Sequence, residues 1–282
     1  MAKRKKRKGV NNVIVVSDLH INCRLGLCPP AGADLDEGGA YKPSRLQMVV
    51  WSWWEEFWGE WVPHVTKGEP YAVVVNGDAV DGGAHHGNTT HISANYDDQE
   101  RLALKVLRPV VEQCEGRYWH IRGTDVHAGQ SGQEEERLAR ALGAVPDKEG
   151  RYARWFLWKW VGDGMAHLSH HIGTSSRTQY ETSAPAAEFG EMMIQAALRS
   201  DTPPHFIARG HRHRQVKIEK ESVGGKYITF VTPGWQLRTP FAYKIAGARV
   251  TEPEFGGALM RHGDEDYYTR HFKKELTRPE AE

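Results

Sequence analysis

The chain has 282 residues, 39% of them hydrophobic and 26% charged, the ordinary balance of a globular protein with enough apolar residues for one sizeable core. No apolar run approaches the roughly 18 residues of a membrane-spanning helix and no secretory signal opens the chain, so no membrane association and a cytoplasmic location are expected. Three cysteines (Cys23, Cys28, Cys114) support neither a disulfide framework nor a four-cysteine zinc site.

A net charge of +1 conceals a basic block, Lys3 to Lys8, ahead of a slightly acidic remainder. Residues 1–9 read as a basic disordered tail able to meet phosphates of a nucleic acid, and residues 10–282 as a single domain. Val13 to Val16 is a β-branched run that reads as a buried strand. Ile21 to Pro43, rich in glycine and proline, reads as a long unstructured loop at the rim of a site. From Leu46 the residues Val49, Val50, Trp53, Trp54, Phe57 and Trp61 recur at helical spacing behind a Ser44/Gln47 capping box. Trp51 and Trp58 fall off that face as a second stripe, which fits either packing under the rim loop or a homo-oligomer contact.

Ala72 to Val75 reads as a second buried strand, Asp98 to Cys114 as a helix kinked by Pro109, and Tyr118 to Ile121 as a third strand. A helix near Gly132 to Leu142, strands at Ala166 to Ser169 and Phe206 to Ala208, and a helix from Ala186 to Arg199 follow. A hairpin from Arg214 to Val231 turns at Gly224-Gly225.

Five of these runs are each followed at once by residues able to bind metal. In order they are Asp18-Leu19-His20, Asn76-Gly77-Asp78, Gly123-Thr124-Asp125-Val126-His127, His170-His171 and Gly210-His211-Arg212-His213. In an extended stretch residues i and i+2 share a side, so Asp18 with His20, and His211 with His213, would each present two donors. Strand carboxyl ends gather at one sheet edge in α/β proteins, and imidazoles mixed with carboxylates suit Mn, Fe, Zn or Co. His85, His86 and His91 lie in the Gly-rich loop after Asp78, with His86 a candidate substrate contact; Arg122, Arg209 and Arg212 are candidate phosphate forks that could equally point away.

The ordered series resembles the calcineurin-like metallophosphoesterase superfamily, whose motifs run D-x-H, G-D, G-N-H-D, H and G-H-x-H, over roughly Val13 to His213. The resemblance implies an α/β fold of two facing mixed β-sheets flanked by helices, with two divalent transition-metal ions sharing one aspartate. It implies Asp18, His20 and His213 as ligands of the first metal, Asp78 as the bridge, and His170 and His211 as ligands of the second, with His171 the fallback for His170. In the third motif Thr124 stands for the family's Asn and Asp125 for its His. Thr124 or Asp125 is then the remaining ligand of the second metal, and His127 or Asp125 the acid.

The function implied is hydrolysis of a phosphomonoester or phosphodiester by a metal-activated hydroxide, the partner being a phosphate-ester substrate. The alternatives are a nuclease of the same superfamily and a degenerate binding protein.

Overall fold

β1 (Asn12–Val16) is buried over its whole length, as is β4 (Tyr71–Asn76), because each is covered on both faces. The computed structural model describes residues 9–83, 90–173, 177–222, 225–240, 242–243, 252–264 and 266–276. The basic block and His86 therefore lie outside the described residues.

β1 and β4 form the middle of a six-stranded sheet in the order β13-β12-β1-β4-β5-β6, with β5 at Tyr118–Ile121, β6 at Ala153–Arg154, β12 at Phe255–His262 and β13 at Tyr267–Lys274. The pairs β1–β4, β4–β5 and β5–β6 are parallel, and β12 and β13 add an antiparallel edge. A five-stranded sheet runs β10-β11-β9-β8-β7, from β7 (Phe156–Val161), β8 (Gly164–Ser169), β9 (Phe206–Arg209), β10 (Val216–Ser222) and β11 (Gly225–Val231). Its central pairs β8–β9 and β9–β11 are parallel.

The sheets face each other across one apolar layer. Val13, Val15 and Val74 from the first meet Leu168, Phe206, Ala208 and Phe230 from the second. The opposite face of the first sheet carries Ile14, Val16, Val73 and Val75 against helices α1 (Arg45–Glu56), α3 (Tyr96–Gln113) and α5 (Gln133–Ala141). On the outer face of the second sheet lies α6 (Ser183–Leu198), pinned by the fully buried Arg209 guanidinium, which donates to Glu188 at 2.6 and 3.0 Å. The expected architecture of two facing mixed sheets flanked by helices is the observed one.

Three local expectations differ. The helix from Ser44, with its capping box in place, passes through a π-helical turn at Phe57–Trp61 before a short α2 (Val62–Thr66). Trp58, four residues after the buried Trp54, is buried with it, while Val49, upstream of the π-helical turn, is exposed. Trp58 packs edge-on against Trp54 and Phe57 within the chain's own core, and Trp51 joins it there. The stripe that suggested a homo-oligomer contact is thus covered from within.

The segment Ile21 to Pro43 is not unstructured. Ile21 continues the pairing with Val80, a small ribbon forms between β2 (Ala33–Leu35) and β3 (Gly39–Tyr41), and the Gln47 amide donates to the carbonyls of Cys23 and Gly26. Cys23 and Cys28 are buried free thiols; burial pushes them up to about 11 and about 12, far from the thiolate a metal would take. The hairpin of β10 and β11 forms in the expected register, with Ser222 opposite Gly225.

Candidate metal centre

Each candidate segment leaves the carboxyl end of a parallel strand: Asp18 after β1, Asp78 after β4, Thr124 after β5, His170 after β8 and His211 after β9. The sheets' facing brings the ends together. The Asn76 amide donates to Ser169 O at 3.1 Å, and His170 Nδ1 donates to Asn76 O at 2.7 Å.

The donors are not on extended chain. Asp18 (φ 56°), His20 (φ 44°), Asp78 (φ 51°), His211 (φ 72°) and His213 (φ 50°) all sit in the left-handed region. The alternation argument for Asp18 with His20, and for His211 with His213, is corrected here. β1 ends at Val16 and β9 at Arg209, and the chain coils tightly instead. Left-handed backbone costs an L-residue about 1–2 kcal/mol and persists where surroundings over-determine it. Here Asp18 N–H donates to Gly77 O, His20 N–H to Asp78 O and Trp235 N–H to Asp18 O, each within 3.0 Å. Gly77 has φ 85°, and a Cβ there would lie 2.5 Å from His170 Nδ1, so no other residue fits.

Among the described residues, three groups of side chains hold donor atoms within 4.8 Å of one another: Asp18, His20 and His213; Asp78, His170 and His211; and His20, Asp81 and His127. The first two are the sets the motif series implied. Asp18 Oδ2 accepts from Ser17 Oγ and from His211 N–H at 3.1 Å, while Oδ1 is buried with no hydrogen-bond donor. That bare oxygen lies 3.2 Å from His213 Nε2 and 3.9 Å from His170 Nε2.

Asp78 is built alike. Its Oδ1 accepts from Thr124 N–H at 2.8 Å and Thr124 Oγ1 at 3.1 Å, and its Oδ2 lies 3.0 Å from His170 Nε2. Because His170 gives its Nδ1 proton to Asn76 O, Nε2 is the atom turned on the two carboxylates. His20 gives Nδ1–H to Asp81 Oδ1 at 3.2 Å, which turns its bare Nε2 toward His213 Nε2 at 3.2 Å. Lone pairs facing one another in a buried site are the arrangement a cation relieves.

Without a cation, protons answer part of this demand. Burial acts to lower the His170 pKa, but Asp78 and Asp18 outweigh it and raise it to about 10. Burial likewise opposes ionisation of Asp18 and Asp78, yet His170 beside them holds both well below the usual carboxylate range. Burial pushes His211 down to about 4 and lowers His20, so both are neutral imidazoles fit to ligate near pH 7. The donor set is therefore one able to hold metal.

His170 is buried and belongs to the second group, whereas His171 is exposed and lies outside it. Thr124 binds the Asp78 carboxylate. Asp125, expected as ligand or acid, occupies the first turn of α4 (Asp125–Ala128), exposed and outside the three donor groups. His127 does reach the site, with its ring edge-on to His20 at 4.5 Å and Nδ1 donating to Asp81 O at 2.9 Å.

The arginines turn away. Arg122 reaches Ser131 O and Glu136, Arg209 reaches Glu188, and Arg212 donates to Glu181 O.

Asp81 escaped the sequence reading. It is 2% exposed and its carboxylate meets His20, His91 at 3.0 Å and His127 at 3.6 Å. Its place three residues after Asp78 was the available signal.

No protein-family model matches the chain, and no curated protein sequence does. Solved structures of similar shape include vacuolar protein sorting 29 from Cryptosporidium parvum, with TM-score 0.37, 10% identity, and coverage of 94% of this chain and 98% of that one. Vps29 from Entamoeba histolytica complexed with zinc has TM-score 0.34, 11% identity and coverage of 94% and 98%. The sulfate thiohydrolase SoxB from Thermus thermophilus, in complex with glycerol, has TM-score 0.37, 12% identity and coverage of 95% of this chain and 57% of that one. Scores this low carry no functional argument, and the site is read from its own residues. Among the described residues no helix is long and apolar enough to cross a membrane.

Proposed function

We propose that the chain is a dinuclear metal-dependent phosphoesterase. The observation that carries the reading is the bare, buried Asp18 Oδ1 facing His213 Nε2 and His170 Nε2, with the second carboxylate, Asp78, on the same His170 nitrogen. Asp18, His20 and His213 would hold one ion and Asp78, His170 and His211 the other, with Asp78 shared. Completeness at all six positions argues against a degenerate site.

Two divalent ions, when bound, would polarise the phosphoryl oxygens of a mono- or diester, screen the charge of an in-line transition state and lower the pKa of a water. The chain's own residues do the rest. Thr124 fixes Asp78 through two bonds to Oδ1, its hydroxyl lying 3.4 Å from Oδ2, the oxygen that meets His170. Asp81 fixes the His20 tautomer. His127, whose Nδ1 proton is committed to Asp81 O, keeps Nε2 to deliver a proton to the leaving oxygen. His86 remains a proposed substrate contact on sequence grounds alone, as does nucleic acid at the basic tail.

The test is hydrolysis of p-nitrophenyl phosphate and its bis ester before and after chelation, with Mn, Zn or Co added back. Activity that falls with the metal and returns with it supports the reading. Full turnover in metal-free protein overturns it.

A further inference from the structure

We propose that Glu135 is a positioning residue that sets the spacing of the two loops holding Asp78, and through them occupancy of the Asp78–His170–His211 ion site. The proposal rests on the metallophosphoesterase reading above.

Glu135 sits in the first turn of α5 between Glu134 and Glu136, where three successive acids suggest a solvated helix start. Yet its exposure is 0%. A carboxylate is not buried without partners, and those of Glu135 come from two other segments. Oε1 accepts the N–H of Ala79 at 2.8 Å, and Oε2 accepts the N–H of Gly123 at 2.5 Å.

These amides are special in position. Ala79 directly follows Asp78, and Gly123 directly precedes Thr124. Thr124 in turn donates twice to Asp78 Oδ1, at 2.8 and 3.1 Å. A closed ring results, running from Asp78 through the Ala79 amide, Glu135, the Gly123 amide and Thr124 back to Asp78. Contact within it is tight: a Cβ on Gly123 would stand 1.9 Å from Asp78 Oδ1. The ring occupies one Asp78 oxygen and so aims the other, Oδ2, at His170.

Glu135 is backed from behind. The fully buried His120 meets the Tyr118 hydroxyl at 2.7 Å through Nδ1, and its Nε2, buried with no hydrogen-bond partner, lies 3.9 Å from Glu135 Oε1. With the tyrosine donating to Nδ1, the Nε2 side of the ring faces the carboxylate at 3.9 Å, beyond hydrogen-bond distance. The Asp18–His20–His213 group touches the ring only at Asp78, whose carbonyl accepts the His20 N–H at 3.0 Å; its own carboxylate is held by Ser17 and the His211 amide instead. Loss of Glu135 should therefore weaken the Asp78–His170–His211 ion more than the other, which shares only Asp78 with the ring.

Glu135→Gln tests this with little change of shape, since it turns one acceptor oxygen into an NH₂ that meets an N–H head-on. Chelator-treated full-length wild type and variant are titrated with Co²⁺ by calorimetry and by visible absorption, and then assayed on the bis ester. Wild type is expected to take two equivalents. The variant should unfold thermally within a few degrees of wild type, keep one equivalent near wild-type affinity, and lose at least about tenfold more on the other with an altered spectrum. Its kcat should fall while KM holds.

Wild-type affinity for both ions with unchanged kcat, or equal weakening of both, overturns the proposal. A wild-type chain that takes up no cobalt overturns the metal reading, and this proposal with it. Should the variant fail to fold, amide exchange in wild type decides. Ala79 and Gly123 protected like the amides of β4 supports the ring, and exchange at open-loop rates overturns it.

Discussion

A buried carboxylate with one oxygen held by protein donors and the other turned to imidazole nitrogens is the recurring unit of this site. Asp18 and Asp78 both have it, and the tautomers of His20 and His170 are fixed from behind. Because Asp78 is proposed to serve both ions, Asp78→Asn should abolish turnover and empty the centre, whereas His213→Ala should weaken one ion and leave residual activity at high metal. Metal content and rate measured together check this; wild-type values in Asp78→Asn would remove its bridging role. Asp125→Ala should leave metal content unchanged, since that side chain is exposed outside the donor groups. His127→Ala should keep both ions and slow esters with poor, high-pKa leaving groups by about 10²-fold or more, sparing activated ones. Equal slowing of both, or a lost ion, would end its role as the acid. The six ligand positions were legible because each sits in a short motif behind a strand. Asp81 and Glu135 were not. Their partners come from segments distant in sequence, and an acid in a run of acids looks like a helix surface.

At the scale of elements, strands β1, β4, β5, β8 and β9 were legible as short apolar runs, since burial on both faces leaves no room for polar alternation. Strands β7 and β12 were not. β7 mixes Lys159 among aromatics, and β12 begins Phe255-Gly256-Gly257, which reads as a turn; both are stabilised by neighbours rather than by their own pattern. The loops were misread as extended because the hydrogen bonds that hold Asp18, Asp78 and His211 in left-handed backbone come from other segments. One glycine carries a prediction at this scale. Gly123→Ala would press a methyl into Asp78 Oδ1, so the loop after β5 must withdraw. The variant should fold with β5 intact, lose roughly 1–3 kcal/mol of stability as overpacking does, and bind its metals more weakly. Calorimetric metal titration beside denaturant unfolding checks it; unchanged affinity would show that the loop has slack.

For the whole molecule, two sheets with aligned carboxyl ends make a rigid floor under a site built from five separate segments. The second sheet brings a pH dependence of its own. His167, on β8 between Phe156 and Trp158, is pushed down to about 3 by burial and then by Arg209, from an ordinary 6.5. Between those values the unfolded chain binds a proton that the folded chain does not. Stability is therefore complete above pH 6.5 and falls on acidification, by about 1.4 kcal/mol per pH unit for this one group. His167→Phe should flatten that slope in denaturant unfolding followed from pH 7 to pH 4, and an unchanged slope would place the acid sensitivity elsewhere. The account's central claim is that Asp18, Asp78 and the imidazoles around them hold two ions that are needed for turnover. Elemental analysis of the purified chain, paired with bis-ester hydrolysis before and after chelation, tests it most directly. Close to two transition-metal ions per chain, with activity lost on chelation and restored by metal, is the result predicted; full hydrolysis by the metal-free chain is the result that would contradict it.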